Sequence, residues 1–152
     1  MSDLRELYQE VILDHSKKPR NFRAMPDATN EADGHNRLCG DKLHVYIKIV
    51  DGIIVDASFK GMGCAISTAS ASMMTDALKG KTLEQAKALY GLFHDVLTSA
   101  TAEEPAGIDE LGKLGVFSGV REFPIRVKCA TLPWHTMQAA VEKAATQVST
   151  EE

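Results

Sequence analysis

An α+β fold, with a small antiparallel sheet of about three strands and helices packed on one of its faces, is predicted by three features of the sequence. Leu43, Val45, Ile47 and Ile49 alternate with His44, Tyr46 and Lys48, and a second alternating run begins at Ile53. Asp51-Gly52 stands between the runs, the dipeptide that most favours a tight hairpin turn. Helical periodicity then governs the segment before this hairpin and most of the chain after it.

Taken in order, the first element is a helix. Leu4, Leu7, Val11 and Ile12 share one face, Asp3 and Glu6 open the segment, and Lys17-Lys18-Pro19 close it, as the helix dipole and proline's missing donor favour. Residues 20–37 hold Asn, Asp, Gly and Pro without periodicity and are expected to form a long surface loop. In the hairpin, Ile53, Val55, Ala57 and Phe59 are expected to point inward from the return strand. A third short strand is expected near Gly61-Met62-Gly63-Cys64, where glycines let the backbone turn tightly beside the cysteine.

The second half reads as helical. Ile66 to Lys79, rich in Ala, Ser and Met and ending at Gly80, is a helix with a small-residue face, and Met73 and Met74 belong to the core. Thr82 with Gln85 makes a capping box for a helix carrying Leu83, Ala86, Tyr90, Phe93 and Leu97. Pro105 and glycines 107, 112, 115 and 119 interrupt the next stretch, which is expected to be a locally mobile excursion with one or two short helical turns. After Pro124, Met137, Val141, Ala144 and Val148 mark the face of a final helix. Without an internal repeat or a linker, residues 1–152 are expected to form one domain.

Composition narrows the function classes. Apolar residues make up 44% and charged residues 25% of the 152, which excludes a collagenous or disordered chain. Seventeen Lys and Arg against 21 Asp and Glu leave a net charge of −4, so no broad basic face exists to grip nucleic acid. No run approaches the roughly 18 apolar residues of a membrane span, and the charged N-terminus lacks a secretory pattern. A cytoplasmic location without membrane or nucleic-acid partners is the expectation.

Three cysteines are too few for a disulfide framework and cannot all pair. Each falls where an element is expected to change: Cys39 before the first strand, Cys64 after the second, and Cys129 at the start of the last helix. Cys39 is followed by Gly40-Asp41, and Cys64 is preceded by Gly-Met-Gly. Arg126 and Lys128 precede Cys129, and their charge favours a thiolate. A free cysteine is often simply a small buried hydrophobe, so a packing role for each stands beside a chemical one. Three thiolates and one carboxylate would make a sulfur-rich tetrahedral site suited to zinc or to iron, although no C-x-x-C pair is present.

At these residues the sequence resembles a known family. Cys39-Gly40-Asp41, the run from Gly61 through Ser67 with Ala69 to Met74, and Arg126-Val127-Lys128-Cys129-Ala130-Thr131-Leu132-Pro133-Trp134 resemble the three signature blocks of the IscU/NifU-type iron–sulfur assembly proteins. The likeness is to the SufU branch in particular: residues 98–124 resemble its insertion, and Lys128 stands where the IscU branch carries histidine. The resemblance implies one zinc bound by Cys39, Asp41, Cys64 and Cys129. It implies that Cys39 accepts persulfide sulfur from a SufS-type cysteine desulfurase, that Arg126 contacts that partner, and that other SUF assembly proteins follow. It equally admits a scaffold carrying iron or an iron–sulfur cluster, because thiolates suit both.

Overall fold

A computed structural model describes residues 2–36, 40–99, 108–142 and 147–149. Helix α1 (Ser2–Lys17) leads through a loop into strand β1 (Asn30–Asn36), and the hairpin strands β2 (Asp41–Val50) and β3 (Ile53–Met62) follow. Helices α2 (Ala65–Leu78) and α3 (Leu83–Leu97) come next. A single turn, α4 (Ile108–Leu111), runs into 3₁₀ turns over Gly112–Glu122, then helix α5 (Pro124–Val141) and a short strand β4 (Gln147–Ser149). The sheet order is β3-β2-β1-β4, antiparallel except for the parallel pair β1–β4. Helices α2 and α5 cover one face, and α1 packs on α2.

The hairpin forms where its sequence predicts it. Asp51 and Gly52 both have positive φ, at 53° and 76°, the conformation that a two-residue turn between twisted strands requires. On β2, Leu43, Val45 and Ile47 are buried as expected. On β3 the inward face is shifted. A register irregularity between Lys48 and Ile49 pairs Ile49 with Ile54 but Lys48 with Asp56. Ile54 is therefore fully buried while Ile53 and Val55 face water, and Ala57 and Phe59 return to the core. The third strand expected near residues 61–64 does not exist; β3 itself runs on to Met62.

The third strand of the antiparallel sheet lies instead inside the stretch expected to be a loop. Asn30, Ala32, Gly34 and Asn36 alternate inward along β1, opposite Ile47, Val45, Leu43 and Asp41. Its inward residues are small or polar because α5 approaches closely: a Cβ on Gly34 would collide with the Thr136 hydroxyl and sit 3.3 Å from Leu132. Asn30 Nδ2 donates to the Ala140 carbonyl at 2.8 Å, tying the strand to the same helix. Apolar alternation is absent where the sheet meets a helix through amide and glycine contacts, so the pattern gives no sign of a strand.

Further helical expectations meet mixed outcomes. The Thr82–Gln85 capping box is present in both directions. Met73 and Met74 are buried, as are Ala86, Phe93 and Leu97 of α3, while Tyr90 is half-buried. Val11 and Ile12 pack against the core, whereas the Leu4 and Leu7 side chains lie outside the described residues. The glycine-interrupted stretch is no surface excursion in its described part, because Leu111, Leu114, Val116, Phe117 and Val120 are buried. Phe117 meets Phe93 edge-on at 5.8 Å, and Phe93 stacks on Trp134 at 4.7 Å, so this segment closes the core over α3 and α5. The final helix stops at Val141: Met137 is buried, Ala144 lies outside the described residues, and Val148 belongs to β4. No described helix is long and apolar enough to cross a membrane.

Candidate metal centre

Three elements bring Asp41, Cys64 and Cys129 to one place. Their oxygen and sulfur atoms all lie within 4.8 Å of one another, the one such His/Cys/Asp/Glu group among the described residues. Asp41 is the first residue of β2 and is fully buried, opposite Asn36 in the β1–β2 ladder. Cys64 ends the stretch after β3 and caps α2 with extended backbone, φ −70° and ψ 168°. Cys129 stands in the second turn of α5 and is fully buried, inside the helix rather than at its start.

A glycine lets the carboxylate reach this turn. A Cβ on Gly63 would stand 2.7 Å from Asp41 Oδ1 and 2.5 Å from Ser67 Oγ, closer than packed carbon atoms come. With only hydrogen there, Asp41 Oδ1 accepts the Cys64 N–H at 2.7 Å, and Asp41 Oδ2 lies 3.8 Å from Cys64 Sγ. The glycines beside Cys64 predict a tight turn; the use of Gly63 in admitting a carboxylate is visible only in the fold.

The electrostatics favour one ionised thiol and penalise the full set of charges. The Cys129 thiol donating to the Cys64 sulfur is the strongest influence and brings Cys64 down to about 6. Burial opposes this, the backbone amides of Ser67 and Ile66 at the start of α2 assist it, and the Asp41 charge pushes back. A buried carboxylate beside one thiol that ionises readily and a second sulfur donor is a set suited to a cation. Ligands placed roughly 2.0–2.3 Å from a tetrahedral zinc stand about 3.3–3.8 Å apart, so the observed cluster, with its donor atoms within 4.8 Å of one another, needs about 1 Å of inward movement to fit one.

Other predicted residues are placed differently. Cys39 lies outside the described residues, but Gly40, with φ 69°, carries the chain from it directly into Asp41. Arg126 is exposed in the first turn of α5, three residues before Cys129, and does not join the cluster. The histidines stand elsewhere. His135 bonds the Tyr90 hydroxyl with its ring near that of His94, His15 pairs with Ser72 at 2.7 Å, and His44 lies between Glu31 and Asp33. Two contributors were not singled out from the sequence: the Ile66 and Ser67 amides, and Ser70, whose hydroxyl bridges α2 to α5. A helix start next to a cysteine could have indicated the first; nothing in the sequence indicates the second.

Comparison with known proteins places this arrangement. Residues 7–130 match the family described as the NifU-like N-terminal domain. The chain is 40% identical over 142 residues to the zinc-dependent sulfurtransferase SufU of Bacillus subtilis, covering 93% of this chain and 94% of that protein. It is also 40% identical over 145 residues to the iron–sulfur cluster assembly scaffold protein IscU of Streptococcus pyogenes, covering 95% and 89%. A crystal structure from Fervidobacterium islandicum, described as a candidate iron–sulfur cluster assembly scaffold for the SUF system, superposes with a TM-score of 0.79 at 33% identity, over 87% of this chain and 94% of that one. With its α+β fold, its signature cysteines and a family match over most of its length, the chain belongs to the NifU-like N-terminal domain family.

Proposed function

We propose that this protein is a zinc-dependent sulfur acceptor in iron–sulfur cluster biogenesis, taking persulfide sulfur from a SufS-type cysteine desulfurase onto Cys39 and passing it on. The observation that carries the reading is the convergence of Asp41, Cys64 and Cys129 from three elements into one buried donor set. Cys39 completes it as the fourth ligand. Two residues from Asp41, it can stand no further than roughly 7 Å along the chain. Bound there, zinc neutralises the buried carboxylate and holds the thiols as thiolates.

The chain's own chemistry is thiol exchange. The Cys39 thiolate attacks the outer sulfur of the desulfurase's cysteine persulfide. A sulfur–sulfur bond forms on Cys39, and the desulfurase cysteine departs as a thiolate, so no external oxidant or reductant is needed. Asp41, Cys64 and Cys129 stay as the fixed frame, and exposed Arg126 offers a cation to the docking partner, which the cytoplasm supplies. The SUF description of the Fervidobacterium relative supports such a partner and further SUF assembly proteins.

Zinc content and desulfurase turnover test the reading together. Wild type is expected to hold one zinc per chain and to accelerate the desulfurase, while Cys39→Ala keeps the fold and loses the acceleration. Acceleration by Cys39→Ala equal to wild type overturns the acceptor assignment. A second reading, a scaffold on which a cluster is built, has its own support in the equally similar scaffold from Streptococcus pyogenes. Protein purified without oxygen that carries iron and sulfide in place of zinc decides for it.

A further inference from the structure

The two thiols of the candidate centre sit on different helices, so their separation depends on how α2 and α5 are fixed to each other. Helix α5 is weakened where this matters. Pro133 lies inside it, four residues after Cys129. Proline has no N–H, so the rung that would return to the Cys129 carbonyl is missing and the ring crowds that carbonyl. The backbone that presents the second thiol therefore lacks part of its own support.

Ser70 supplies a hold from the neighbouring helix. Its Oγ donates to the Ala130 carbonyl at 2.6 Å and accepts the Trp134 indole N–H at 3.1 Å. Ser70, Ala130 and Trp134 are all fully buried. Ser70 stands six residues into α2 from Cys64, about 9 Å along the axis, and Ala130 adjoins Cys129. Its neighbours Ala69 and Ala71 are also fully buried, so alanine packs in this part of the helix. A hydroxyl in such a seam adds no apolar contact and must be hydrogen-bonded to be tolerated. What it adds is direction: one oxygen bonded twice to α5 fixes the rotation and the height of that helix against α2.

We propose that Ser70 is a positioning residue that sets the Cys64–Cys129 separation by clamping the Pro133-weakened turn of α5 onto α2. This rests on reading Asp41, Cys64 and Cys129 as metal ligands. Ser70 touches none of the three ligand atoms and acts only through the backbone beside Cys129.

The test uses the metal-free full chain carrying Cys39→Ser, in which Cys64 and Cys129 are the only thiols. Phenylarsine oxide is the probe, because its arsenic must take both sulfurs to release its oxygen as water. Equilibrium capture is expected to weaken about tenfold in Ser70→Ala, the scale of losing support behind a ligand. Val96→Ala, a core truncation on α3, is expected to capture like the parent, as is Ser70→Thr, which keeps the hydroxyl. Capture by Ser70→Ala equal to the parent, or equal weakening in Val96→Ala, overturns the clamp. Should Ser70→Ala fail to fold, Trp134→Phe decides. It keeps an aromatic ring in the stack but removes the second of the two Ser70 bonds, and is expected to weaken capture, by less than about tenfold; capture equal to the parent there overturns the two-bond clamp. Cobalt(II) titration of the wild-type chain checks the metal reading separately. Absence of a thiolate–cobalt band overturns that reading, whereas unchanged arsenical capture in Ser70→Ala overturns the clamp alone.

Discussion

Two clusters of ionisable side chains lie at different places on the sheet, and solvent separates their chemistry. In one, Asp41, Cys64 and Cys129 meet from three elements, with Asp41 and Cys129 fully buried. In the other, His44 of β2 lies between carboxylates of the neighbouring strand that accept from its ring nitrogens: Glu31 at 2.7 Å from Nε2, and Asp33 against Nδ1. Glu31 and Asp33 are each more than half exposed, at 53% and 55%, so water carries much of their charge. The exposed cluster is content with its own histidine. The buried one gathers acidic groups without such a partner among its three members, which is the condition under which a metal ion contributes most.

Removing the metal is the strongest way to test that contrast. With free zinc about 1,000-fold above its dissociation constant, binding stabilises the fold by about 4 kcal/mol. Complete chelation is accordingly expected to lower the melting temperature by about 10 °C in a chain of this length. An unchanged melting temperature after verified metal loss would break the comparison.

The register of the hairpin decides which residues face each environment, and it can be tested on adjacent isoleucines. Ile54→Ala is expected to cost about 3 kcal/mol in denaturant unfolding, because its side chain is fully buried. Ile53→Ala, partly exposed, should cost less than about 1 kcal/mol. Equal effects would place the β3 irregularity elsewhere.

A smaller effect sharpens the picture of the buried cluster. Gly63→Ala sets a methyl 2.7 Å from Asp41 Oδ1, and the carboxylate must give way. A loss of about 2 kcal/mol in stability is expected, as for other overpacked sites, with a parallel loss of zinc affinity read by competition with a chromophoric chelator. Wild-type affinity in this variant would show that the carboxylate is not held where the metal needs it.

The smallest effect belongs to the exposed cluster and depends on pH. Burial lowers the His44 pKa, but the hydrogen bonds and charges of Asp33 and Glu31 outweigh it and leave it raised. A raised folded-state value means stability present below the unfolded pKa and lost as pH climbs through the folded one. His44→Gln is therefore expected to cost about 0.5 kcal/mol near pH 6 and nothing near pH 9, measured by urea unfolding. A cost that grows with pH would reverse the assignment of charge.

Much of this was legible in the residues. Alternation at Leu43, Val45 and Ile47 and the Asp51-Gly52 turn gave the hairpin, since both signals are local and tertiary packing merely completes them. Thr82 and Gln85 announced the start of α3 for the same reason. Strand β1 stayed hidden, because its inward residues Asn30, Ala32, Gly34 and Asn36 include no large apolar side chain, and Asn30 and Gly34 meet a close helix instead. The inward face of β3 was misread because one extra residue reverses the alternation, and no residue type marks that irregularity. For the site, the family resemblance of the three signature blocks implied Cys39, Asp41, Cys64 and Cys129, the last three of which lie among the described residues and converge, whereas Gly63's carboxylate contact and the Ser70 bridge depend on partners far along the chain.

The sequence by itself determined the element types that rest on local periodicity and capping, and a family likeness, carried by three ordered blocks, that implies a set of donor residues. Only the tertiary structure decided that the two described thiols and the carboxylate share one buried space, which residue admits the carboxylate, and what holds the second thiol's helix in place. The physical reason is distance along the chain. Helix faces and turns are set by neighbours a few residues away, whereas Asp41, Cys64 and Cys129 become neighbours only after sheet and helices have closed on one core.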